Sequence, residues 1–100
     1  MARIALASTY PPRRCGIATF TADLSRALGD SEIVALNSPG TSSATNHAVH
    51  HVIRTDVRAD YARAARSLSD CGVSEVSVQH EYGIWGPNDG EGVLDFLAAL

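Results

Sequence analysis

The sequence predicts an α/β domain built on an open, mostly parallel sheet. Two observations carry that expectation. Short apolar runs alternate with stretches of helical period, and two loops rich in polar and aromatic residues each leave an apolar run and enter a helix. In such sheets connections are right-handed, and ligands bind beyond the carboxyl ends of the strands, where the strand order reverses.

Residues 3 to 8 form the first apolar strand, and the Pro11-Pro12 pair forbids helix in the loop from Thr9 to Cys15. Ile17, Phe20, Leu24 and Leu28 then recur at helical spacing, with Thr19, Asp23 and Arg26 off the stripe and Gly29 as the stop. Ile33-Val34-Ala35-Leu36 is a second buried strand, and the polar stretch Asn37 to His47 is a loop by composition. Val49 to Ile53 is a third strand, after a loop marginal in length for a parallel crossover. Asp56 is placed to cap a helix that runs to about Cys71. Its apolar face holds Val57, Tyr61, Ala64, Ala65 and Leu68, and Gly72 follows the end. Val73 to Gln79 is the fourth strand, and His80 to Asn88 is a loop carrying Gly83, Gly86 and Pro87. Asn88 and Glu91 are spaced as a capping box for a last helix. That helix brings Val93, Leu94, Phe96, Leu97 and Leu100, which need a covering element from beyond these residues.

Composition narrows the function. In 100 residues, 45% are hydrophobic and 19% charged, which suits one folded domain at most and argues against disorder. No apolar run approaches the roughly 20 residues of a membrane helix, and the apolar start is too short for a secretory signal. A cytoplasmic location is expected, at the inner face of the membrane if the substrate is a lipid. All eight basic residues are arginine. The absence of lysine excludes a phosphate-loop NTPase and any Schiff-base mechanism within this chain. Residues 1 to 70 hold eight arginines against six acids, whereas residues 71 to 100 hold five acids and no arginine. A net charge of -3 excludes nucleic acid as the main partner. Cys15 and Cys71 are too few and too far apart for a disulfide framework or a paired-cysteine zinc site.

The chemistry gathers in the two strand-to-helix loops. With the strands in the order 3-2-1-4, the loops after the first and fourth strands face one another across one cleft. In the first loop, Gly16 lets the backbone approach a ligand, the helix that follows offers free N–H groups, and Arg13 and Arg14 add fork-shaped charge for an anion. The three-glycine dinucleotide fingerprint is missing, and Gly90-Glu91-Gly92 fails it too, with Asp95 where a third glycine or alanine belongs. In the second loop, His80 and Glu81 adjoin aromatic residues, Tyr82 and Gly83 following directly. A histidine at a strand end can act as acid, base or hydrogen-bond donor to a hydroxyl. His80-Glu81 does not open a zinc-protease motif, because Ile84 stands where the second histidine belongs. His47, His50 and His51 do not form a ligand set from one strand face, since His50 and His51 alternate across it. A Gly-x-Ser-x-Gly elbow is also lacking.

Taken together, Ser8-Thr9-Tyr10-Pro11-Pro12-Arg13-Arg14-Cys15-Gly16-Ile17-Ala18-Thr19-Phe20 and Gln79-His80-Glu81-Tyr82-Gly83-Ile84-Trp85-Gly86 resemble the amino-terminal domain of family 4 glycosyltransferases, retaining enzymes of GT-B fold. The resemblance covers both ends of the chain and leaves Asn37 to Arg54 unsupported. It implies that these residues are the incomplete amino-terminal part of a pair of Rossmann-like domains facing across a cleft. The first domain binds mainly the glycan or lipid acceptor. The second, absent from this sequence, binds the nucleotide-diphosphate sugar, and no metal or other cofactor is required. Carried onto this sequence, Gly16 and its loop approach donor phosphates or acceptor, His80 lies near the transferred sugar as the catalytic residue, and Arg13, Arg14, Glu81, Tyr82 and Gly83 contact substrate. Cys15-Gly16 stands where many relatives carry paired glycines. The residues also read, without the resemblance, as a stand-alone phosphate- or nucleotide-binding α/β module.

Overall fold

The computed structural model describes residues 3–11, 16–40, 49–79 and 84–100. The chain is α/β: β1 (Ile4–Ser8), α1 (Gly16–Leu28), β2 (Ser31–Asn37), β3 (His51–Arg54), α2 (Arg58–Asp70), β4 (Glu75–Val78), α3 (Pro87–Gly90) and α4 (Gly92–Ala99). The four strands form one sheet in the order β3-β2-β1-β4, every neighbouring pair parallel. Ala7 of β1 lies between Val34 of β2 and Val78 of β4. From β1 through β2 to β3 the chain steps one way across the sheet, and from β3 to β4 it returns past both to the far side of β1. With right-handed crossovers this reversal puts α1 and α2 on opposite faces and sets the switch point between β1 and β4.

The larger core lies on the α2 and α4 face, where Ala5, Ala7, Val34, Leu36 and Ile53 of the sheet meet Tyr61, Ala64, Ala65, Leu68, Trp85 and Phe96. Trp85 and Phe96 have no exposed surface. The Trp85 ring stacks on Tyr61 with centroids 6.3 Å apart and tilts against Phe96 at 5.6 Å, while its Nε1–H donates to the Gln79 carbonyl at 2.9 Å. On the other face Leu6, Ile33, Ala35 and Tyr10 pack with Ala22 of α1.

Local structure departs from the sequence expectation in four places. The stripe that α1 buries is Ala18, Thr21 and Ala22, whereas Phe20 is 54% and Leu28 44% exposed. Ile17 and Leu24 of the expected stripe pack partly buried against the two cores, so the departure is confined to Phe20 and Leu28. Asp56 does not cap α2. Val57 is the N-cap, without a side-chain hydrogen bond, and the acid that organises this end is Asp60. The Asp60 carboxylate accepts from the Arg54 backbone N–H at 2.9 Å, Arg54 Nε at 2.8 Å and Arg54 Nη2 at 3.0 Å, with Arg63 Nη2 3.2 Å away. The segment that Asn88 and Glu91 are spaced to open is not one helix, because Gly90 at φ +82° divides it into α3 and α4. Glu91 stands as the N-cap of α4 without a side-chain cap hydrogen bond there, and the Asn88 side chain lies outside what the structure describes. The third and fourth strands are shorter than the apolar runs that announce them, at His51–Arg54 and Glu75–Val78.

The end of α2 matches expectation. Gly72, at φ +77°, donates to Ser69 O at 3.1 Å, and Val73 N–H reaches Leu68 O at 3.1 Å, the paired bonds of a Schellman stop.

Candidate functional site

The strand order places the strand ends that the two candidate loops leave side by side. β1 ends at Ser8 and β4 at Val78, and Gln79 N–H donates to Ala7 O at 3.0 Å, so the chain after Gln79 leaves the sheet beside Ser8 and Thr9. Of the residues singled out from the sequence, Arg13, Arg14, His80, Glu81, Tyr82 and Gly83 lie outside the described residues. Gly16 is described, at the exposed first position of α1. A Cβ there would meet no atom of the described residues within 4 Å, and its backbone is not in the left-handed region, so the described residues leave this position open to a side chain.

Two further residues stand at this edge without having been singled out. Ser8 and Thr9, at the carboxyl end of β1, are both fully buried, and Ser8 Oγ has no hydrogen-bond partner among the described residues. An unpaired buried hydroxyl costs free energy comparable to a lost hydrogen bond. The signal in the sequence is a serine ending an otherwise apolar strand at the switch point.

Gly86 of the second loop and Gly92 of α4 have structural reasons. Gly86, at φ +85°, faces Thr55 O and the Tyr61 hydroxyl, each 2.6 Å from where its Cβ would stand. Gly92 lies against the Tyr61 ring. The Tyr61 hydroxyl donates to Thr55 O at 2.8 Å, with Trp85 O at 3.2 Å, and burial raises its pKa above the usual phenol value, helped by Asp56, Asp95 and Asp60. Trp85, adjoining His80 in sequence, thus belongs to the core and anchors the loop.

A hollow of about 200 Å³ opens beyond the carboxyl end of β3, lined by Thr55, Asp56, Arg58, Tyr61, Glu91 and Asp95 among others. Arg58 Nε pairs with Asp95 Oδ2 at 2.9 Å across its rim. Three carboxylates beside one guanidinium disfavour a phosphate and favour hydroxyl donors. His50 and His51 differ as the strand alternation requires: His50 is exposed, whereas His51 Nε2 is buried without a partner among the described residues.

Fold and site geometry define a Rossmann-like α/β chain with its polar loops at the switch point of a parallel sheet. No known protein family, curated protein or solved structure matches the chain. No helix of the described residues is long and apolar enough to cross a membrane.

Proposed function

We propose that this chain is the acceptor-side part of a retaining family 4 glycosyltransferase of GT-B fold, transferring a sugar from a nucleotide-diphosphate sugar to a glycan or lipid acceptor. The observation that carries the reading is the β3-β2-β1-β4 order, which sets the Thr9 to Gly16 loop and the Gln79 to Gly86 loop on adjacent strands at the switch point. The two motifs of the resemblance occupy those loops. The space that the described residues leave at Gly16 and the acid-lined hollow beyond β3 support it further, the first for close backbone approach and the second for acceptor hydroxyls.

In this reading His80 bonds a hydroxyl of the transferred sugar, Arg13 and Arg14 face phosphate or acceptor charge, and a donor-binding domain beyond these 100 residues completes the site. The full-length protein, incubated with nucleotide-diphosphate sugars and a panel of glycan and lipid acceptors, is expected to transfer sugar with retention of anomeric configuration. Absence of turnover of every donor with every acceptor overturns the reading. A second reading, a stand-alone phosphate- or nucleotide-binding module, rests on the entry into α1 lying at the same carboxyl edge. Tight nucleotide binding by residues 1–100 alone favours it.

A further inference from the structure

We propose that Glu32, His51 and Cys71 form a zinc-binding site at the amino-terminal edge of the sheet, opposite the edge that carries the proposed transfer site. Three elements bring the residues together at this edge. Val34 of β2 pairs with His51 of β3, so Glu32, two residues before Val34, projects to the same face as His51. That face is the one α2 covers, and Cys71 is the C-cap of α2. One ligand atom from each of the three lies within 4.8 Å of the other two. Tetrahedral zinc, with bonds of about 2.0 to 2.3 Å, holds its ligand atoms about 3.5 Å apart. Side-chain rotations of roughly 1 Å close the difference.

The state of each donor suits the metal. His51 Nε2 is buried with no hydrogen-bond partner among the described residues, an arrangement that a metal bond would resolve. Cys71 is a free, half-buried thiol. On binding it loses its proton to solvent and ligates as thiolate. One oxygen, one nitrogen and one sulfur select a borderline cation such as zinc over magnesium or calcium, and three protein ligands leave a fourth position for water.

Arg3 supports the set from outside. Its Nη2 donates to Glu32 Oε1 at 2.8 Å and its Nη1 to the Cys71 carbonyl at 2.7 Å, so one guanidinium orients two of the three residues. Its charge opposes the cation, and the carboxylate and thiolate offset it. Glu32 Oε2 lies 3.2 Å from His50 Nδ1, which is also 3.2 Å from the Ile33 N–H.

The test is a cobalt(II) titration of the metal-free, reduced full-length protein, followed by zinc competition. The expected result is a thiolate-to-cobalt charge-transfer band with tetrahedral d–d bands, bleached by zinc, and proton release on binding. Cys71→Ser should abolish the charge-transfer band, and His51→Ala and Glu32→Gln should each weaken zinc binding about tenfold or more. Cys15→Ser, the control for the second cysteine, should leave the spectrum unchanged. A spectrum without the charge-transfer band, a band that survives Cys71→Ser, or one lost in Cys15→Ser overturns the proposal, and the unmodified protein alone suffices for the first of these.

Discussion

Gly92 lies flat against the ring of Tyr61: a Cβ at this position would overlap Tyr61 Cζ and stand 2.6 Å from Cε1. The helix α4 approaches α2 this closely only because residue 92 has no side chain. Gly92→Ala is therefore expected to push α4 off the Tyr61 ring, a cost of about 1 to 3 kcal/mol for overpacking. In a chain of this size that is a fall in Tm of about 4 to 8 °C for each kcal/mol. Thermal melts of Gly92→Ala and Gly16→Ala side by side check it, and equal melting temperatures would refute the packing argument.

Gly16→Ala should behave in the opposite way. A Cβ there meets none of the described residues, so stability is expected to stay within about 0.5 kcal/mol of the parent. If Gly16 admits substrate, as the proposed function requires, the same variant lowers transfer by the full-length enzyme. Unchanged melting with unchanged turnover would remove Gly16 from the site.

His80→Ala in the full-length enzyme is expected to slow turnover at least tenfold while the melting temperature stays put. A hydrogen bond to developing charge is worth about 1.5 to 3 kcal/mol, or roughly 10 to 150-fold in rate. A lowered Tm with near-normal activity in the folded fraction would assign His80 to the scaffold instead.

Acid stability should report Asp60. The hydrogen bonds from the Arg54 guanidinium hold its carboxyl well below the usual carboxylate range, against the opposing effect of burial, with the Arg54 amide and Arg63 adding to the depression. A folded value below the unfolded value of about 3.9 means that the unfolded chain binds the proton more readily. The stabilisation is thus complete above about pH 5 and is lost progressively as pH falls below about 4 towards the folded value. Asp60→Asn is expected to flatten that acid limb and to cost about 1 to 3 kcal/mol at neutral pH. The figure stays modest because the Arg54 and Arg63 side chains are 64% and 55% exposed and remain solvated without their partner. Urea melts across pH 2 to 7, at about unit intervals, make the comparison.

The exposed apolar residues of α4 predict self-association. Leu94 and Leu97 of α4 are 65% and 48% exposed, and Leu100, the residue that caps it, is 47% exposed. Single exposed leucines are ordinary, whereas three together form a patch of the kind that seeks a partner surface. Sedimentation of the 100-residue chain should depend on concentration, and Leu94→Glu should reduce that dependence without lowering the Tm. A monomer at all concentrations would count against it.

Much of the scaffold was readable because it depends on local pattern. Ala5, Leu6 and Ala7 fill both faces of β1, the α2 stripe from Tyr61 to Leu68 keeps helical period, and Gly72 closes that helix as its position suggested. What was missed depends on residues far apart in sequence. Which face of α1 the sheet meets decides that Ala18 and Ala22 are buried and Phe20 exposed. Asp60, not Asp56, organises the start of α2 because Arg54 at the end of β3 reaches back to it. Gly86 stands in a loop read as facing the cleft, and Gly92 in a segment that fails the dinucleotide fingerprint; their packing against Tyr61, 25 and 31 residues earlier, is not visible in the sequence. The same holds for Glu32, His51 and Cys71, whose spacing in sequence says nothing of their meeting at one sheet edge.

The burial of Trp85 gives this protein an internal optical reporter. It is the only tryptophan in the sequence, sealed between Tyr61 and Phe96 and hydrogen-bonded to the carbonyl of Gln79. Its fluorescence therefore arises from one defined environment, at the base of the segment that begins with His80. Emission from the folded chain should be blue-shifted, as for any indole shielded from water. A ligand that moves the backbone at Gln79 changes the bond to the indole and hence the signal, so occupancy of the neighbouring cleft can be followed without a label.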